Sequence, residues 1–145
     1  MSFNWSLYLQ LAQHLAGSPD ESAHRTAISR AYYSAFHAVN AHLIANNVVT
    51  DLQRPSHERV WSVYVKSSQL GCRQIGNVGF RLRNARVEAD YKANRTPSFA
   101  LLQRSLQDAQ SIIATVPQHI PESFAPQNGN RLLRFARCLQ KCFKG

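Results

Sequence analysis

Apolar side chains recur at helical spacing along most of the chain, and no stretch alternates apolar with polar for long enough to argue for a strand. Residues 3–16 place Trp5, Leu7, Tyr8, Leu11, Ala12 and Leu15 at helical intervals, and Gly17 stops the run. Ser18-Pro19-Asp20-Glu21 then reads as a fresh start. Ser18 is the expected N-cap, Pro19 suits the first turn, and the two acids face the positive end of the helix dipole. With no breaker before Asn46-Asn47, the second helix runs roughly 27 residues, with Ile28, Tyr32, Ala35, Phe36, Val39 and Leu43 as its core stripe.

Residues 46–55 read as a loop, and Pro55-Ser56 opens a third helix with Val60, Trp61, Tyr64 and Val65 facing inward. Gly71, Gly76 and Gly79 interrupt the next stretch. They lack the Gly-Lys-Ser/Thr ending of a phosphate loop and no strand precedes them, which excludes nucleotide binding by that route. A fourth helix follows through Phe80, Leu82 and Val87 to Asp90-Tyr91. Thr96-Pro97 begins a fifth, carrying Phe99, Leu102, Leu106, Ile112 and Ile113, and Pro117 ends it. The pattern predicts an all-α bundle over residues 1–116, a linker over 117–130 and a further helix over 131–145. That last helix sets Leu132, Leu133, Phe135, Ala136, Leu139 and Phe143 on one face against Arg131, Arg134, Arg137, Lys141 and Lys144 on the other. The five cations suit RNA, an acidic partner or a membrane surface; the same pattern also describes a last helix packed on the bundle with its charges solvated.

A chain of 145 residues is the size of one domain and long enough to bury a core. Its 44% apolar and 17% charged residues mark a globular protein. Charge changes the picture more: 17 Lys and Arg face 8 Asp and Glu, a net +9, and 13 of the 17 are Arg. The planar guanidinium fork matches phosphate, so an acidic partner, most simply nucleic acid, is expected. No signal peptide is visible at the amino terminus and no run approaches a membrane span, so a cytoplasmic protein without a membrane is expected. Cys72, Cys138 and Cys142 are an odd count without a secreted framework, so they read as reduced thiols. Cys138 and Cys142 lie one helical turn apart without a second ligand pair, and His119 is isolated, so no metal is expected.

Chemistry concentrates in Ile28-Ser29-Arg30-Ala31-Tyr32-Tyr33-Ser34-Ala35-Phe36-His37. Seven residues are close to two helical turns, so Arg30 and His37 point from nearly one face about 10 Å apart along the axis. Tyr33 stands between them. An arginine that never loses its charge and a histidine that titrates near neutrality suit an anionic ligand such as phosphate. The same spacing is also met by a solvated arginine and a histidine at the edge of a core.

Arg30-Ala-Tyr-Tyr-Ser-Ala-Phe-His37 resembles the signature of the HEPN superfamily, whose nuclease members carry Arg, four to six residues, then His. Ser56-His57-Glu58-Arg59-Val60 resembles that family's Ser/Thr-His-x-x-Val helix start. Leu82-Arg83-Asn84-Ala85-Arg86-Val87-Glu88-Ala89-Asp90-Tyr91 resembles its Leu-Arg-x-x-Arg-x-x-Ala-Asp-Tyr segment. The resemblance implies an up-and-down bundle of four main helices plus a short one, with the basic carboxy-terminal helix as an addition. It implies a homodimer whose two Arg–His helices face one another, and RNA cleavage without metal or other cofactor, by attack of a ribose 2′-hydroxyl on the adjacent phosphate. It also implies a toxin whose partner is a nucleotidyltransferase-like antitoxin. Arg30 would then hold the scissile phosphate and His37 would move protons, supported by Tyr33 and His57. Active members often carry a polar residue directly after the arginine, where this chain has Ala31. A non-catalytic module that binds a nucleotide, RNA or a partner protein stands beside the nuclease reading. Arg86 and Asp90, at i and i+4, read as an intrahelical ion pair.

Overall fold

The computed structural model describes residues 3–48 and 56–122, and all regular structure among them is helical. In order these are α1 (Ser6–Ala16), α2 (Glu21–Ala45), α3 (His57–Val65), α4 (Leu70–Tyr91) and α5 (Phe99–Thr115), followed by a 3-10 turn at Val116–Gln118. Helix α2 is the central post: α1, α4 and α5 pack along it, while α3 lies chiefly on α4. Four main helices and one short one therefore form the all-α bundle that the apolar spacing predicts.

Helix α2 can serve so many neighbours because its buried positions extend well around its girth. The expected stripe Ile28, Tyr32, Ala35, Phe36, Val39 and Leu43 is buried throughout, joined by Ala27, Ala31 and Ser34. These additions are small, which lets packed neighbours come close. Trp61 and Tyr64 from α3, Leu82 from α4 and Leu102 from α5 complete the interior with no exposed surface. Each large side chain so buried contributes about 1.5–3 kcal/mol relative to leaving it in water.

Three boundaries differ from the sequence reading, each for a local reason. Ser18 does not cap α2. Its hydroxyl accepts from the Asp20 N–H at 3.2 Å, closing a turn over Pro19, and Asp20 takes the extended cap conformation instead. Gly76 and Gly79 do not interrupt a helix; they lie buried inside α4. A β-carbon on Gly76 would stand 2.6 Å from both the Val65 methyl and the Val65 backbone nitrogen, and one on Gly79 would overlap the Trp61 indole. The glycines let α3 and α4 touch. Finally, α5 starts after Ser98, whose hydroxyl accepts from the Leu101 N–H at 3.1 Å, and Pro97 is buried just before it. Asn47, by contrast, ends α2 as expected, with a left-handed φ of 56° that asparagine tolerates.

Arg25 joins the start of α2 to the end of α4. Its guanidinium donates to the carbonyls of Ala89 (2.7 Å), Lys92 (3.3 Å) and Arg95 (2.6 Å), and its Nε bonds Glu21 at 2.8 Å. Residues 119–122, at the head of the expected linker, return to the α3–α4 junction. Gln69 donates to the Ile120 carbonyl at 3.0 Å, and Pro121 is buried. The Glu122 carboxylate accepts from the Ser67 hydroxyl at 2.6 Å and from the hydroxyl and N–H of Ser68. These bonds, Ser67's first and then Ser68's, hold its pKa down at about 2. No helix among the described residues is long and apolar enough to cross a membrane.

Candidate functional site

Tyr33 is the hub of the site. The Arg30 guanidinium carbon lies 5.4 Å from its ring centre, the His37 ring 6.2 Å and the His57 ring 5.8 Å. From α4, Arg86 donates from Nη2 to the Tyr33 hydroxyl at 2.6 Å, with its guanidinium carbon 5.2 Å from the ring centre. All four residues singled out from the sequence, on α2 and α3, thus meet around one ring. Tyr33 itself keeps a half-buried position on the edge of the core stripe.

Arg30 is held by faces rather than by charges. Its guanidinium packs over Tyr8 at 4.8 Å as well as over Tyr33, a cation–π arrangement on two sides. Among the described residues no carboxylate pairs with it, and its buried Nε has no hydrogen-bond partner. A buried donor on a permanent cation is costly without an acceptor, which makes Arg30 a candidate contact for an anion.

His37 carries the Trp5 ring flat against it, with centroids 3.5 Å apart and planes at 14°. Burial, and secondarily the nearby His57, hold its pKa below the ordinary histidine value. At neutral pH it is therefore the uncharged imidazole, the form that accepts a proton. Ala31 is fully buried, so the position after the arginine faces the interior and adds nothing polar to the site.

His57 is the first residue of α3, behind the Ser56 cap whose hydroxyl accepts from the Arg59 N–H at 3.1 Å. Its Nδ1 lies 2.7 Å from the Tyr32 hydroxyl, which also accepts from the Trp61 indole N–H at 3.2 Å. Burial first, then the charges of Arg86 and Arg83, lower its pKa. Burial also pushes the Tyr32 phenol up to about 12, so this hydroxyl keeps its proton.

The Arg86–Asp90 pair is present, with Nε 2.8 Å from the carboxylate though off the direction of a hydrogen bond. Asp90 also accepts from the Ser29 hydroxyl at 3.2 Å, so the pair ties α4 to α2. Arg86 is a site residue as well as an ion-pair partner, which sequence spacing did not reveal. Trp5 and Tyr8 were legible only as apolar positions of the first helix. The crowding of Phe3, Trp5 and Tyr8 into six residues was the available signal, and the three rings do cluster at centroid distances of 4.9–5.4 Å.

The basic set Arg131, Arg134, Arg137, Lys141 and Lys144 lies outside the described residues, as do Cys138 and Cys142. Among the described residues no three His, Cys, Asp or Glu side chains gather as a metal site would need. Two concavities beside α4, one at Gly71, Ile75 and His119 and one at Arg81, Glu88 and Leu101, contain none of the Tyr33-centred residues. The family model described as HEPN domain matches residues 8–119. No curated protein and no solved structure matches the chain.

Proposed function

The chain belongs to the HEPN domain family, and on that footing we propose that the Tyr33-centred site binds single-stranded RNA and cleaves it without a metal. One observation carries this reading: Arg30 is half-buried, has no carboxylate partner among the described residues, and shares a face with a neutral histidine two turns on. In the reaction, His37 takes the proton of a ribose 2′-hydroxyl as its oxygen attacks the adjacent phosphorus. The bond to the 5′-oxygen breaks, and that oxygen leaves with a proton from a second acid. Arg30 faces the charge that builds on the phosphate oxygens, the position where a preorganised cation accelerates most. A homodimer with facing α2 helices supplies the second acid as the other copy's His37, in the minority of molecules in which that one imidazole carries a proton while its mate is neutral. Single strands suit this chemistry because in-line attack requires a backbone free to leave A-form geometry. The wider role is that of a toxin restrained by a nucleotidyltransferase-like antitoxin.

Trp5 favours a second reading, in which Arg30 and His37 only contact a nucleotide, RNA or a partner protein. Its indole covers one face of the imidazole, and buried Ala31 offers no auxiliary polar group. Purified protein in EDTA is expected to cut single-stranded RNA and leave 2′,3′-cyclic phosphate ends, and His37→Ala is expected to abolish the cut. Cleavage that needs a divalent metal, or that survives His37→Ala, removes the nuclease and leaves the binding module. Light scattering at micromolar concentration is expected to show roughly twice the 16.4 kDa monomer mass; a monomer unchanged by RNA sinks the composite site.

A further inference from the structure

The Tyr32 hydroxyl has two neighbours and only one proton. Trp61 Nε1 can only donate, so it occupies one lone pair of the oxygen. Tyr32 is fully buried, and among the described residues the one acceptor within reach of its own proton is His57 Nδ1, at 2.7 Å. If Nδ1 carried a hydrogen instead, the phenol proton would be buried without a partner. The relay Trp61 to Tyr32 to His57 therefore fixes the imidazole with its hydrogen on Nε2. Among the described residues nothing accepts from that Nε2–H.

Position makes this donor useful. His57 lies against Phe36 at 4.3 Å and against Tyr33 at 5.8 Å, so it borders the ring that Arg30 covers. Arg83 and Arg86, at i and i+3 on one face of α4, both bring positive charge to His57. Arg86 is occupied by Tyr33 and Asp90. Arg83 is half-buried and has no ion-pair or hydrogen-bond partner among the described residues. Asp90 of α4 is already shared by Arg86 and Ser29.

We propose that His57 Nε2–H and Arg83 form a second phosphate subsite, next to the one at Arg30, which takes the neighbouring phosphodiester of the same RNA strand. His57 is then a fixed neutral donor to a phosphate oxygen and takes no part in moving protons. The proposal rests on the RNA reading of the Arg30 site. It makes two consecutive phosphates the unit of recognition, so a mononucleotide fills only half of the site.

Ribose-2′-O-methyl UpU and UpUpU, which cannot be cleaved, separate the two subsites by carrying one and two phosphodiesters. In NMR titrations the full-length protein is expected to bind UpUpU about tenfold more tightly than UpU, the scale of one charge-assisted hydrogen bond. Arg83→Gln is expected to erase that gain and leave UpU affinity in place, and His57→Ala is expected to erase the gain. His57→Gln, which keeps an N–H donor near Nε2, is expected to restore part of it. Amide spectra of each variant report folding, and the surface-reaching Arg83→Gln serves if His57→Ala unfolds. A gain that survives both Arg83→Gln and His57→Ala overturns the subsite. UpU binding that is absent, or indifferent to Arg30→Ala, instead overturns the primary RNA site on which the subsite depends.

Discussion

Arg25 and Arg30 stand five residues apart on the same helix and are opposite cases. Arg25 spends its donors on three backbone carbonyls at the end of α4 and on Glu21. Arg30 has aromatic faces on two sides, a buried N–H without an acceptor and no carboxylate among the described residues. Arg25 is answered within the protein; among the described residues the Arg30 Nε is not. Satisfied buried charge builds a fold, and unsatisfied buried charge in a cluster of titratable groups makes a candidate ligand contact. Arg81, which grips Asp108 through two bonds of 2.7 and 2.9 Å, belongs with Arg25.

The sharpest way to break this contrast is to exchange the symptoms. Arg30→Ala is expected to lower RNA cleavage at least a hundredfold, the scale of losing one transition-state donor, while the thermal midpoint barely moves. Arg30→Lys should fall between, because a point charge does not reproduce the guanidinium fork. Arg25→Ala is expected to do the reverse. It should cost about 1–3 kcal/mol in denaturant unfolding, because the part-buried Ala89 carbonyl and those of Lys92 and Arg95 lose their donor, and leave the rate per folded molecule unchanged. A stability loss from Arg30→Ala as large as that from Arg25→Ala would make both arginines structural.

The smallest effect sharpens the comparison by pH. His37 and His57 have folded pKa values below the ordinary 6.5, so the unfolded chain binds their protons more readily. The stability these two rings contribute is therefore fully present above about 6.5 and declines as pH falls from there. At the Arg25 end, Glu21 is held below its ordinary 4.5 by its bonds to Arg25 and then Thr96. Its contribution is present above 4.5 and is lost only as pH falls below that value. Urea midpoints measured from pH 7.5 to 3 are expected to show an upper limb that His37→Gln with His57→Gln flattens, and a lower limb that Glu21→Gln flattens. An upper limb unchanged by the double histidine substitution would contradict the placement of these rings.

Much of the fold was legible because helical periodicity is a local signal. The core stripe of α2 from Ile28 to Leu43 is read from residue spacing, and burial follows it residue by residue. Glycine misled that reading at residues 76 and 79, since intrinsic propensity marks a weak helix position and says nothing of a Trp61 ring pressed against it. The site divides the same way. Arg30, Tyr33 and His37 share one helix face and can be found by counting. Trp5 and Tyr8, at the start of α1, reach His37 and Arg30, and Arg86 of α4 reaches Tyr33, and no spacing within the chain predicts these meetings.

The sequence by itself determined the helices, the side of α2 that turns inward, the excess of arginine and the HEPN motifs, because each depends on residues within a few turns of one another. Only tertiary structure decided which charges are answered. Arg25 and Arg30 have the same chemistry and the same helix, and what separates them is the carbonyls of a helix end some 60–70 residues away in one case and aromatic rings in the other. Likewise His57 gains its fixed tautomer from Tyr32 and Trp61, partners 25 and 29 residues apart along the chain in their successive bonds. Hydrogen bonds and burial are properties of neighbours in space, and the order of residues alone does not list them.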